Sequence, residues 1–139
     1  ENHLVALPES VGDLKSLKDL YAERNNLREL PQSLFTLDSL TDLSLDGNQL
    51  TKLPESIGDL KSLTRLSLGG NKLTDLPESI GDLKSLESLT VQHNQLRTLP
   101  KSILDLTSLE LLRMEGNDKL RMPPGMKEEL ESRGVDVME

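Results

Sequence analysis

The chain of 139 residues contains no cysteine and no tryptophan, and only one Tyr and one Phe. Without cysteine there is no disulfide framework, no thiolate zinc site and no cysteine nucleophile, and an oxidising compartment would add no covalent stabilisation. A cytoplasmic setting is therefore favoured, with a bacterial exported protein as the alternative. Long apolar runs are also missing: none approaches the roughly 18 residues needed to cross a bilayer, and the first residues do not read as a charged-then-apolar leader. These features read as those of a soluble protein. No Lys/Arg cluster occurs along the chain, and 24 acidic residues against 16 basic ones leave a net charge of −8. That balance argues against nucleic-acid binding, which needs a basic stripe to displace counterions from phosphates.

What the chain has in excess is leucine, at 32 positions, so the core must be assembled from many equivalent aliphatic contacts. The leucines follow a period. Five successive copies of an LxxLxLxxNxL pattern start at Leu17, Leu40, Leu63, Leu86 and Leu109, each 23 residues after the last. The eleven residues LPESIGDLKSL occur identically at 53–63 and 76–86, and 7–17 differs from them only by Val11. Fixed-period self-similarity of this kind marks a stacked repeat architecture.

Within each copy, the alternation at Leu43-Ser44-Leu45 or Leu66-Ser67-Leu68 has period two, which predicts a short strand with leucines inward and small polar residues outward. The return segment begins with Pro and carries Ser10/Asp13, Ser56/Asp59, Ser79/Asp82 and Ser102/Asp105 at capping-box-like spacing, predicting a capped turn of 3₁₀ or α structure. Because that side is wider than a strand spacing of about 4.8 Å, the stack is expected to curve, with the sheet on the concave side.

Asn25, Asn48, Asn71, Asn94 and Asn117 recur where the chain leaves each strand, with Asn2 in register as a sixth. None is followed by x-Ser/Thr, which excludes glycosylation. A stacked Asn amide can instead bridge backbone groups of its own turn and the neighbouring one, so these residues are assigned a structural ladder role. At the N-terminus, Asn2-His3-Leu4 matches the middle of a repeat, as if the chain were a fragment of something longer with an uncapped edge prone to self-association. At the other end the last copy gains a residue before Leu120. Residues 126–133 then predict a helix with Lys127/Glu131 and Glu129/Arg133 pairs and Gly134 after it, followed by a final edge strand at Val135-Asp136-Val137. The expected organisation is one domain over 1–139: a partial repeat at 1–16, five repeats at 17–125 and a cap at 126–139.

Repeats of the form LxxLxLxxNxLxxLPxSIGxLxxL resemble the 23-residue intracellular leucine-rich repeats of Ras-binding scaffolds, of the Scribble and Erbin polarity proteins, of plant intracellular Ras-group proteins and of many bacterial proteins, some of them secreted effectors acting inside host cells. The resemblance covers residues 2–124. It implies an α/β solenoid: a right-handed curved superhelix with a parallel β-sheet on the concave face, short 3₁₀/α segments on the convex face and a C-terminal helical cap. It also implies recognition of another protein on the concave face, in a scaffold or effector role.

Chemistry of other kinds finds little support. His3 and His93 lie four repeats apart and cannot share a site in an extended stack. Asp46-Gly47-Asn48 lacks the ligand spacing and bidentate Glu of a calcium loop, and no GxxxxGK[ST] offers a phosphate cradle. No catalytic set, metal or cofactor is expected, so an enzyme is not the reading. Information must sit where the copies differ, which is in the outward strand positions. Four columns hold Asp19, Asp42, Arg65, Ser88 and Leu111; Tyr21, Ser44, Ser67, Thr90 and Arg113; Glu23, Asp46, Gly69, Gln92 and Glu115; and Arg24, Gly47, Gly70, His93 and Gly116. Tyr21, Arg24, Asp42, Asp46, Arg65, His93 and Arg113 are the candidate partner contacts. Acidic residues crowd the first two repeats, with Arg65 and Arg113 further on, so a partner with a basic patch fits that field. Leu111, apolar in an outward column, is expected to pack beneath the cap. The competing reading is an architectural spacer, or an engineered consensus array without a natural ligand, supported by the near-identity of the return segments.

Overall fold

The computed structural model describes residues 2–139. Every repeat contributes one three-residue strand: β1 (Asp19–Tyr21), β2 (Asp42–Ser44), β3 (Arg65–Ser67), β4 (Ser88–Thr90) and β5 (Leu111–Arg113), with β6 (Asp136–Met138) after the helix α1 (Met126–Ser132). The six strands form one open parallel sheet in the order of the chain. Their register follows the 23-residue period without slipping, so Asp19, Asp42, Arg65, Ser88 and Leu111 stand side by side, as do Tyr21, Ser44, Ser67, Thr90 and Arg113. The expected edge strand at the C-terminus is β6, which adds Asp136 and Met138 to those two rows.

The inward side chains explain why the strands can be so short. Leu43, Leu66, Leu89 and Leu112 are completely buried at the strand centres, and Leu45, Leu68, Val91 and Met114 fill the next inward position, where β1 has only the smaller Ala22. Burying a leucine contributes about 2 kcal/mol, and each rung repeats that gain, so stacking rather than strand length stabilises the sheet.

On the opposite side the chain returns through five-residue 3₁₀ turns at Glu9–Asp13, Gln32–Thr36, Glu55–Asp59, Glu78–Asp82 and Lys101–Asp105. The expected capping boxes do not form: Pro8, Pro31, Pro54, Pro77 and Pro100 precede the turns, and no side chain caps them. The reason is that the proline carbonyl already takes the first turn hydrogen bond, as from Val11 N–H to Pro8 O at 3.0 Å. Two of the turn serines reach the preceding repeat instead, Ser33 Oγ donating to Glu9 O at 2.6 Å and Ser56 Oγ to Gln32 Oε1 at 3.2 Å, while the buried hydroxyls of Ser79 and Ser102 have no partner. Glycine follows from the same close stacking. A Cβ on Gly81 would lie 2.5 Å from Ser102 O, and one on Gly12 would lie 2.5 Å from Ser33 Cβ. Where Phe35 replaces that glycine it is buried in the core, and its turn touches the next one less closely than the other neighbouring pairs of the first four repeats.

At the C-terminal end, α1 buries Met126 and Leu130 and is followed by Gly134 in the left-handed region, φ 85°. Glu129 pairs with Arg133 as expected. Lys127, expected to pair with Glu131, instead donates to Glu139 at 2.8 Å, because β6 carries Glu139 back past the helix.

Candidate functional site

The asparagines form the predicted ladder. Asn71 Nδ2 donates to Leu45 O and Leu68 O, each at 3.0 Å, while its Oδ1 accepts Leu50 N–H at 3.0 Å. Asn48, Asn94 and Asn117 repeat this pattern, each reaching a carbonyl of the previous repeat as well as its own. Asn25 makes only part of it: Oδ1 accepts Leu4 N–H at 3.0 Å, but Nδ2 finds only Ala22 O and Glu23 O of its own turn. All five are buried, so their amides fix the exits of the strands and with them the outward columns.

On that outward face three of the candidate residues meet. Tyr21 is 59% exposed, yet its hydroxyl donates to Asp42 Oδ2 at 3.1 Å. Arg65 Nε donates to the same oxygen at 2.7 Å, and its Nη2 lies 2.7 Å from it. Asp42 itself is only 7% exposed. The field expected from the sequence, acid first and base later, is therefore modified: the register that places Asp42 beside Arg65 joins them into a neutral pair. Asp42 presents little surface of its own and acts by holding Tyr21 and Arg65. The hydrogen bond to Asp42 raises the Tyr21 phenol above its ordinary value, with burial and the nearby carboxylates adding in the same direction.

The acidic character of this end resides in Asp19 and Glu23, both exposed, and in half-buried Asp46. Asp46 Oδ1 accepts Gly69 N–H at 2.6 Å. Burial raises its carboxyl above the usual range, the Gly69 bond opposes that, and the Glu23 charge raises it further. An open notch between Glu23, Arg24, Asp46 and Gly47 lies at this rim.

Arg24 and His93 occupy the column in which the other repeats have glycine, and they adopt the same left-handed backbone, φ 54° and 53° beside 68°, 64° and 73° for Gly47, Gly70 and Gly116. A non-glycine residue there is strained. Both lean over the next glycine: the Arg24 side chain lies 3.4 Å from where a Cβ of Gly47 would be, and the His93 ring fills the corresponding space over Gly116. Gln92 covers Gly69 in the same way. The signal for this was in the sequence, since three glycines in one column mark a left-handed position.

Arg113 pairs with Glu115 at 3.3 Å. Buried polar atoms of Gln92, Arg113 and Glu115 have no partner on this face, so Gln92 and Glu115 join the candidate residues although residue type alone did not single them out. Leu111 is half-buried in its column between Ser88 and Asp136 and does not pack on the core beneath the cap. Among the described residues no group of His, Cys, Asp or Glu is placed to hold a metal ion, and no helix is long and apolar enough to cross a membrane.

Comparison with known proteins agrees with this architecture. The leucine rich repeat family profile matches residues 15–73, 39–96 and 62–118 in overlapping registers. Among solved structures, a leucine-rich repeat protein of Leptospira interrogans is 40% identical over 98% of this chain with a TM-score of 0.87. This chain spans 34% of that protein, about a third of its length. The ectodomain of the Arabidopsis thaliana receptor kinase GASSHO1/SCHENGEN3, solved in complex with CASPARIAN STRIP INTEGRITY FACTOR 2, is 30% identical over 84% of this chain, which covers 16% of that protein, with a TM-score of 0.71. An internalin of Listeria monocytogenes shares the fold at 24% identity, with a TM-score of 0.76 over 96% of this chain and 38% of its own. No curated protein matches the sequence.

Proposed function

The chain belongs to the leucine-rich repeat family, whose fold generally serves protein–protein interaction, and from that premise we propose that its concave sheet face docks another protein. The observation that carries this reading is the Tyr21–Asp42–Arg65 arrangement: an exposed aromatic ring and a guanidinium, both held by one buried carboxylate. Tyr and Arg are the side chains that most often anchor interfaces, and holding them before the partner arrives lowers the entropy lost on binding. Asp19 near the ring, with Glu23 and Asp46 at the rim notch, makes this end of the face acidic, so the favoured partner brings a basic patch to β1 and β2. The receptor ectodomain solved in complex with CASPARIAN STRIP INTEGRITY FACTOR 2 supports a recognition role by analogy. A scaffold setting in the cytoplasm, or action as an effector inside a host cell, is the context in which the module would work, as one domain of a longer protein.

The N-terminal edge supports a second contact. Leu20 is half-buried where its equivalents in β2–β5 are fully buried, Leu4, Val5 and Leu14 are 49%, 67% and 53% exposed, and Asn25 lacks its cross-repeat acceptor. We propose that this edge pairs with a second copy of the chain. Sedimentation velocity over a concentration series tests this: self-association abolished by Leu20→Lys supports it, and a monomer at all concentrations contradicts it.

For the concave face, the structure also selects the variant. Arg65→Glu would place a second carboxylate against buried Asp42 and lower stability, so a loss of binding would be ambiguous. Tyr21→Ala with Glu23→Lys changes only exposed positions. Capture of a protein by the wild type and its loss from this folded double variant support the reading; equal capture by both contradicts it.

A further inference from the structure

The ladder that aligns the asparagines also aligns the residues following them. Gln95 N–H donates to Leu73 O and Arg121 N–H to Arg97 O, each at 2.9 Å, so residues 22 to 24 apart in the chain become neighbours on one lateral wall. Lys72, Arg97, Lys119 and Arg121 are exposed on that wall. None of them takes part in an ion pair, the four pairs among the described residues lying elsewhere. No run of basic residues in the sequence announces this patch, because only the stacking assembles it.

Like charges on adjacent rungs destabilise one another, and a chain with 24 acidic residues had ample means to neutralise them. Asp118 shares a notch with Arg97 and Lys119, but neither it nor Asp75 forms an ion pair with these cations. The Asp75 carboxylate accepts the Thr74 hydroxyl. Between the rungs lies a shallow notch of about 250 Å³, lined by Thr74, Asn94, Gln95, Arg97, Asp118 and Lys119. Asn94 is committed to the ladder, leaving Gln95, Arg97 and Lys119 as free donors at its mouth.

We propose that this wall is a second docking site, separate from the concave face, for a carboxylate-rich segment of a partner protein. Arg97 and Arg121 offer two guanidinium forks on adjacent rungs, each matched to a carboxylate through paired N–H donors. A long polyanion is disfavoured, because it would extend past the patch into the field of a molecule carrying −8 overall. A short acidic segment feels mainly the charges within about 8–10 Å.

The test uses a fluorescein-labelled oligoglutamate peptide followed by fluorescence anisotropy. Saturable binding to the wild type is expected, weakened roughly tenfold or more in Arg97→Glu/Arg121→Glu, where the charge reverses, and less in Arg97→Lys/Arg121→Lys, where only the fork is lost. Circular dichroism checks that both variants keep the fold. The Tyr21→Ala/Glu23→Lys variant binds the peptide like the wild type, so this site and the concave face fail or stand separately. The proposal is overturned if the wild type shows no saturable binding, if charge reversal leaves binding unchanged, or if inorganic phosphate at equal charge concentration displaces the peptide completely.

Discussion

Removing one amide from the ladder should cost far more in the middle of the stack than at its start. In Asn71→Ala, Leu50 N–H loses the acceptor it holds at 3.0 Å, and Leu45 O and Leu68 O each lose a donor at 3.0 Å. Leu50 is completely buried, so water cannot replace the missing acceptor there. An orphaned buried donor costs about 1–3 kcal/mol, and each of the two lost hydrogen bonds to carbonyls about 1 kcal/mol, so a total of about 3–5 kcal/mol is expected. Asn25→Ala removes a weaker set: Leu4, whose N–H it accepts, is 49% exposed, and no carbonyl of a previous repeat is involved. Its cost should be about 1 kcal/mol, because water satisfies the released N–H. With no tryptophan in the chain, far-UV circular dichroism during urea unfolding is the suitable assay. A difference of about 2–4 kcal/mol between the variants, at an unchanged m-value, is the expected result. An Asn71→Ala variant within about 1 kcal/mol of the wild type, or no more destabilised than Asn25→Ala, would refute the ladder as the source of stacking stability.

Three further outcomes follow from the same geometry. Tyr21 is the only tyrosine, so its ionisation can be read directly from ultraviolet absorbance: it should titrate above the ordinary phenol value, and Asp42→Asn should bring it back down. Since the folded-state value is raised, the stability this bond contributes is present below the unfolded phenol value and is lost as pH rises through the folded one; a midpoint at or below the ordinary value contradicts the bond. Asp46, raised chiefly by burial, is less costly to bury when protonated, so Asp46→Asn should be neutral or slightly stabilising at neutral pH, with the gain fading as pH falls through the folded carboxyl value. A clear loss of thermal midpoint at pH 7 would show instead that the charged bond to Gly69 dominates. Gly81→Ala should cost about 1–3 kcal/mol by overpacking against Ser102, measured by the same urea titration; a neutral variant would mean that the 3₁₀ turns separate easily.

The repeat unit was legible because every level of the sequence agreed on it: the 23-residue period, the inward leucines and the asparagine ladder all recur in the structure at the expected places. The capping boxes misled because Ser and Asp at that spacing serve an α-helix, whereas in a five-residue 3₁₀ turn led by proline the proline carbonyl takes the first turn hydrogen bond and no side chain caps it. Column analysis located the outward residues but treated each as independent. It did not foresee that Asp42 would be buried between Tyr21 and Arg65, since that depends on register and side-chain reach rather than residue type. Strain at Arg24 and His93 was encoded by the glycines sharing their column. The lateral cations were invisible to a search for runs of Lys and Arg, because a solenoid makes neighbours of residues a full period apart.

The most direct test of the central claim is affinity capture by the wild type and by Tyr21→Ala/Glu23→Lys in parallel, with thermal melts showing both folded and the retained proteins identified by mass spectrometry. Recognition through the concave face predicts a protein held by the wild type and released by the variant, with melting midpoints within about 3 °C, as expected for a stability difference under 1 kcal/mol. A partner held equally by both would contradict that account and move the docking surface off the sheet.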